Sequence, residues 1–181
     1  MKEKIVIYGG AFNPPHIGHA IAIDEVMRTF VCDEIWIMPS ADRQDKKISV
    51  TGEHRVNMIK IILSELFSAP KVPIKISTLE LKRPALTTTY DTQIELNKKY
   101  PNNEFYFLVG KDIFKDIKIK WVNGKKLLRI AKFITVSKKV NVSSTFVREL
   151  ISKDQSGVPY IIPAVARYIQ ENGFYRFNKQ E

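Results

Sequence analysis

The stretch Gly9-Gly10-Ala11-Phe12-Asn13-Pro14-Pro15-His16-Ile17-Gly18-His19 joins two segments of different period. Before it, residues 4–8 form a β-branched apolar run that reads as a buried strand. After it, Ala20, Ile21, Ile23, Val26, Met27 and Phe30 recur at helical spacing, with Pro14 and Pro15 just ahead of the helix, where proline is tolerated. Two glycines after a strand permit a tight turn and let a ligand approach the backbone. A helix start offers unpaired N–H groups and partial positive charge to a phosphate. His16 and His19, three apart, share one helical face and make a compact anion grip. Gly18 between them removes a side chain where a flat base or ribose could press against the helix.

Outward from this stretch the pattern alternates. Residues 34–38 read as a second strand, closed by Pro39. A polar loop follows over residues 40–50, and Thr51 is placed to cap a helix carrying Val56, Met58, Ile59, Ile62, Leu63 and Leu66. Residues 73–77 are a weaker strand. Thr89 is placed to cap a helix to about Tyr100, stopped by Pro101. Residues 104–109 are strand-like and end at Gly110. Residues 124–130 are helical, 132–136 a strand, and Ser143 or Ser144 can cap a short helix to Ile151. Residues 163–171 form the last helix, with Gly173 as its stop. Strand, helix, strand, helix is the pattern of βαβ units on a parallel sheet with helices on both faces, an α/β class. Ligands bind such sheets beyond the carboxyl ends of the strands. That singles out the loops at residues 9–15, 40–50 and 110–116, and the segment before Ser143.

Composition narrows the classes. With 181 residues the chain is one domain, and we expect residues of about 143–175 to form a small helical appendage on it. No apolar run approaches the length of about 20 residues that a membrane span needs. Residues 1–4 lead straight into a strand, without the apolar stretch of a secretory signal. Cys32 is the only cysteine, which excludes an intrachain disulfide and a cysteine-cluster metal site. The plain expectation is a cytoplasmic protein. Lys plus Arg is 29 against 19 for Asp plus Glu, a net charge of +10 that favours anionic partners. The basic residues are spread without a long tail, which argues against nucleic acid and leaves a small polyphosphate in view. The three histidines, His16, His19 and His54, leave a metal site open in principle, but no carboxylate cluster completes it.

The opening stretch resembles the signature of the nucleotidyltransferase superfamily, with its H-x-G-H element, and most closely the nicotinate mononucleotide adenylyltransferase family. The dinucleotide fingerprint of hydride-transferring enzymes is absent. Other segments match in order: Met38-Pro39, a loop with Lys46, and a helix with His54-Arg55 and Met58; Thr89-Tyr90-Asp91-Thr92 as T-x-D-T; Gly110-Lys111-Asp112 as G-x-D, with Trp121 following; Val142-Ser143-Ser144-Thr145-Phe146-Val147-Arg148 as I-S-S-T-x-I-R; and Gly173-Phe174-Tyr175 as an aromatic end. The resemblance covers nearly the whole chain. Two departures stand out: Asp45, where the family usually has histidine, precedes Lys46, and only residues 137–142 fill a connection that is commonly longer.

The resemblance implies a Rossmann-like fold and transfer of AMP from ATP to nicotinate mononucleotide. The same chemistry on nicotinamide mononucleotide, phosphopantetheine or another phosphate ester would use the same ATP half. It implies an ATP site built from Gly9, Gly10, Ala11, Phe12, His16, Gly18, His19, Gly110, Asp112, Ser143, Ser144, Thr145 and Arg148. The acceptor site would draw on Ser40, Lys46, Thr89, Asp112 and Trp121. His16, His19, Lys46 and Arg148 would be the charge-stabilising catalytic set, with Mg²⁺ bridging the ATP phosphates and no metal held by protein ligands alone. The partners are then ATP and a pyridine mononucleotide, with no membrane, and a homo-oligomer is compatible with the family. Each match has physical sense: the hydroxyls and N–H groups of Ser143, Ser144 and Thr145 sit at a second helix start, and Arg148 can reach the same anion with its fork. Lys46 could fold over a triphosphate, Asp112 could accept from ribose hydroxyls, Thr89 could donate to the acceptor, and Trp121 could stack on a pyridine ring. The competing reading is a nucleotide- or RNA-binding module that has lost catalysis. H-x-G-H also resembles class I aminoacyl-tRNA synthetases, whose tRNA-reading domains a chain of 181 residues cannot hold.

Overall fold

In a computed structural model, which describes residues 2–41, 50–83 and 88–176, the first strand is flanked by strands on both sides. The elements are β1 (Glu3–Gly10), α1 (Ile17–Thr29), β2 (Glu34–Pro39), α2 (Gly52–Leu66), β3 (Ile74–Ile76), α3 (Thr89–Lys99), β4 (Asn103–Gly110), α4 (Lys111–Lys120), α5 (Gly124–Ile130), β5 (Lys132–Val136), α6 (Ser144–Ser152) and α7 (Pro163–Glu171). The sheet order is β3-β2-β1-β4-β5 and every pairing is parallel. Ile7 pairs with Trp36 on one side and Phe107 on the other. The order therefore reverses at β1, which opens a crevice beyond its carboxyl end, between β1 and β4.

Side chains of a strand alternate between faces, and the core divides accordingly. Val6, Ile35, Ile37 and Leu108 pack with Ala22, Ile23 and Val26 of α1 and Ile59 of α2. The alternate residues Ile5, Ile7, Trp36, Met38, Phe105 and Phe107 pack with Leu96 of α3 on the other face. Consecutive burial of Ile5, Val6 and Ile7 is what a strand covered on both faces requires. A third cluster docks the C-terminal helices: Val147 and Ile151 of α6 and Val165 and Ile169 of α7 meet Ala20 of α1 and Met58 and Ile62 of α2.

The structure departs from the sequence expectation in three places. The expected loop at 110–116 is instead the start of α4, where only Ile117 is buried and Lys120 pairs with Asp116 one turn away. A helix that buries one side chain carries little amphipathic signal. Thr89 is not the cap of α3. That position belongs to Thr88, whose hydroxyl accepts from the Asp91 N–H while Asp91 accepts from the Thr88 N–H at 2.8 Å. These bonds hold the Asp91 carboxyl below its usual range. Thr51 stands at the start of α2, but its side chain makes no capping bond.

Candidate active site

The loop from β1 to α1 is built around its histidines. Phe12 takes a left-handed backbone (φ 48°), a region that side chains other than glycine rarely occupy. Its buried ring packs on Tyr8 (5.6 Å between centroids) and His19 (4.8 Å). The His16 N–H donates to His19 Nδ1 at 3.0 Å, which makes Nε2 the protonated nitrogen of a neutral His19. The two imidazole rings lie 3.7 Å apart, tilted by 30°. Burial is the main cause that pushes the His16 imidazole down to about 4, helped by the positive charge of Lys138. Burial and the neighbouring His16 hold His19 well below the usual histidine range. Both are neutral at pH 7, and His16 Nδ1 has no hydrogen-bond partner among the described residues.

Four side chains from three other parts of the chain clamp the loop. Arg55 of α2, fully buried, donates from Nη1 to the Ala11 carbonyl (2.7 Å) and from Nη2 to the Ser40 carbonyl (2.8 Å). Ser144 Oγ donates to the Pro14 carbonyl at 2.8 Å. Arg148 Nη1 donates to the Asn13 carbonyl at 2.7 Å, and its Nη2 to Thr145 Oγ1 at 3.2 Å. The Tyr175 hydroxyl donates to Asn13 Oδ1 at 2.6 Å. Ser143 caps α6 by accepting from the Phe146 N–H at 3.1 Å. Two helix N-termini, of α1 and α6, are thus joined at one loop.

Beside the loop lies an open cleft of about 150 Å³ whose lining includes Tyr8, His16, Gly18, His19, Gly110 and Asp112. Its outer wall is the short connection from Val136 to Val142, including Lys138. A Cβ on Gly18 would meet Val142 Cγ1 at 3.0 Å and His16 Cε1 at 3.1 Å, so glycine is what lets this connection approach α1. Gly9 faces open space. Gly110 lies against the Asp112 carboxylate, which stands exposed on the first turn of α4.

The sequence-derived residues are therefore gathered unevenly. His16, Gly18, His19, Gly110 and Asp112 share the cleft; Ser144, Thr145 and Arg148 reach its loop by direct or relayed bonds. Ser40, Thr89 and Trp121 do not line it. Ser40 closes β2, its N–H donating to the Gly10 carbonyl at 2.8 Å. Thr89 is the first residue of α3, and Trp121 caps the end of α4. Next to Thr89, Thr92 is fully buried, donating to Glu80 at 2.7 Å and accepting from Arg83 at 2.9 Å. Lys46 lies outside the described residues. Sequence reasoning assigned no role to Arg55 or Tyr175. Arg55 carried a signal: it stands three and four residues before Met58 and Ile59, on the apolar face of α2, where a charge must find partners. Tyr175 stood in the aromatic end Gly173-Phe174-Tyr175, but nothing local marked its partner, which is 162 residues away.

A family model described as cytidylyltransferase-like matches residues 7–152. A probable nicotinate-nucleotide adenylyltransferase of Bacillus licheniformis is 34% identical over 96% of this chain and 98% of its own. The nicotinate-nucleotide adenylyltransferase of Bacillus subtilis strain 168 is 33% identical with the same coverage. Among solved structures, the nicotinic acid mononucleotide adenylyltransferase of Plasmodium falciparum complexed with NaAD superposes with a TM-score of 0.84 at 27% identity, over 97% of this chain and 98% of that one.

Proposed function

This chain belongs to the cytidylyltransferase-like family, among its nicotinate-nucleotide adenylyltransferases, and from that premise we propose that it moves AMP from ATP to nicotinate mononucleotide, forming deamido-NAD and pyrophosphate in NAD biosynthesis. One observation carries the reading: Ser144 and Arg148 of the S-S-T-x-x-R turn bond directly to the loop that bears His16 and His19. The proposed polyphosphate grip thus draws on parts 130 and 135 residues apart in the chain.

An acceptor phosphate oxygen attacks the α-phosphorus of ATP in line. The bond from that phosphorus to the α–β bridging oxygen breaks, and pyrophosphate leaves with the electron pair. No protein nucleophile is needed, so the work is alignment and charge neutralisation. His19 Nε2–H and the α1 N-terminus serve as donors to the phosphates, and the remaining N–H groups of Arg148 add charge. Phosphate beside a neutral imidazole favours its protonation, so His16, whose Nδ1 has no partner among the described residues, takes up positive charge as the nucleotide binds, while His19 donates as the neutral ring because its Nδ1 accepts from the His16 N–H. Asp112 accepts from ribose hydroxyls at the cleft edge. By the resemblance, Lys46 is assigned to charge stabilisation at the phosphates, and Ser40, Thr89 and Trp121 to the acceptor. The substrate is Mg·ATP. Its ion needs few protein ligands, because Mg²⁺ is held mainly by phosphate oxygens and water.

The test is pyrophosphate release from Mg·ATP with separate acceptors: nicotinate mononucleotide, nicotinamide mononucleotide and phosphopantetheine. Release is expected with the first above the others. Release with none, alongside salt-sensitive RNA binding, would establish the binding-module reading instead.

A further inference from the structure

We infer that Tyr175, on the turn after α7, is a positioning residue for the nucleotide grip and acts through Asn13. The inference rests on the reading of the cleft as an ATP site. Asn13 is 5% exposed and lies three residues before His16. Its two oxygens each accept one bond, the carbonyl from Arg148 and Oδ1 from Tyr175. Asn13 is therefore the knot that ties three segments: the β1–α1 loop, α6 and the C-terminal turn.

Tyr175 is built to hold that place. Its backbone is left-handed (φ 65°), a strained conformation for a side chain of this size, which surrounding packing must enforce. Phe174 beside it packs on His54 at 4.7 Å between centroids. The Tyr175 hydroxyl makes no other hydrogen bond among the described residues. Burial raises the phenol far above its usual value, so it remains a donor. Without the hydroxyl, Asn13 Oδ1 would be a buried acceptor lacking its partner. Relief requires the amide to turn or the loop to move, and either shifts the carbonyl that Arg148 holds. Tyr168 offers the contrast: its hydroxyl meets His54 Nδ1 (2.7 Å) and Asn57 (3.2 Å), both on α2, and touches no part of the loop.

The experiment is calorimetric binding of Mg·ATP, without acceptor, to the full chain and its variants. Tyr175→Phe is expected to weaken binding at least tenfold. Tyr168→Phe, which removes a hydroxyl bonded to His54 and Asn57 of α2, is expected to stay within twofold even where its melting temperature falls. Asn13→Ala and Asn13→Ala/Tyr175→Phe are expected to bind equally weakly. Wild-type affinity in Tyr175→Phe, equal loss in Tyr168→Phe, or further loss in the double variant overturns the inference. Should Tyr175→Phe fail to fold, wild-type affinity in Asn13→Ala overturns it. Wild type that binds Mg·ATP but is inert toward nicotinate mononucleotide would sink the acceptor reading and leave Tyr175 in place; wild type that does not bind Mg·ATP sinks both.

Discussion

His19 has one ring nitrogen left to donate, because the other already accepts from the His16 N–H. That bond fixes the tautomer, so under the proposed function the remaining N–H is a preorganised phosphate donor. His19→Ala is expected to lower kcat by about 10²–10³, the scale of one lost transition-state donor, with the fold retained by circular dichroism. The depressed histidines also set a pH dependence. His16 falls from 6.5 to about 4 on folding, so between those values the unfolded chain binds more protons than the folded one. Its contribution is complete above about 6.5 and lost as pH falls toward 4; the depressed His19 acts in the same sense. At about 1.4 kcal/mol per pKa unit, His16 accounts for up to about 3 kcal/mol. Urea titrations between pH 4 and 7 should show stability rising with pH; a flat profile would contradict neutral, buried imidazoles.

Among the elements, α3 separates a capping role from a functional one. Thr88 and Asp91 satisfy each other's backbone N–H groups, and Thr89 follows inside the helix. Thr88→Ala should cost about 1 kcal/mol in urea unfolding, with turnover of the folded protein unchanged. Thr89→Ala should cost less stability, and its effect, if it serves the acceptor, should fall on KM for nicotinate mononucleotide. The strands and α1, α6 and α7 were legible because each presents a continuous apolar run or a periodic apolar face. α4 was not. Of its isoleucines only Ile117 is buried and Ile119 is 81% exposed, so no stripe marks it. The adjacent Gly110-Lys111-Asp112 motif drew the eye to a loop, whereas Asp112 rides on a helical turn.

At the scale of the molecule, the C-terminal helices share a core with α1 and α2. Ile161 is fully buried in that cluster, and the neighbouring Tyr160 carbonyl accepts from the Ile17 N–H at the start of α1 (2.8 Å). Ile161→Ala is expected to cost about 2–5 kcal/mol and to keep a single unfolding transition, coincident by tryptophan fluorescence and circular dichroism. Two separated transitions would mean that the helices form an independent unit. The amino-acid sequence by itself determined the parallel α/β pattern, the glycine–histidine loop and a helix capped at Ser143 or Ser144, because local periodicity, turn chemistry and helix-end preferences act over a few residues. The tertiary structure alone decided that Arg55, Ser144, Arg148 and Tyr175 all fasten that loop, and that both histidines are neutral. Those facts depend on burial and on bonds between residues up to 162 positions apart, which no local pattern encodes.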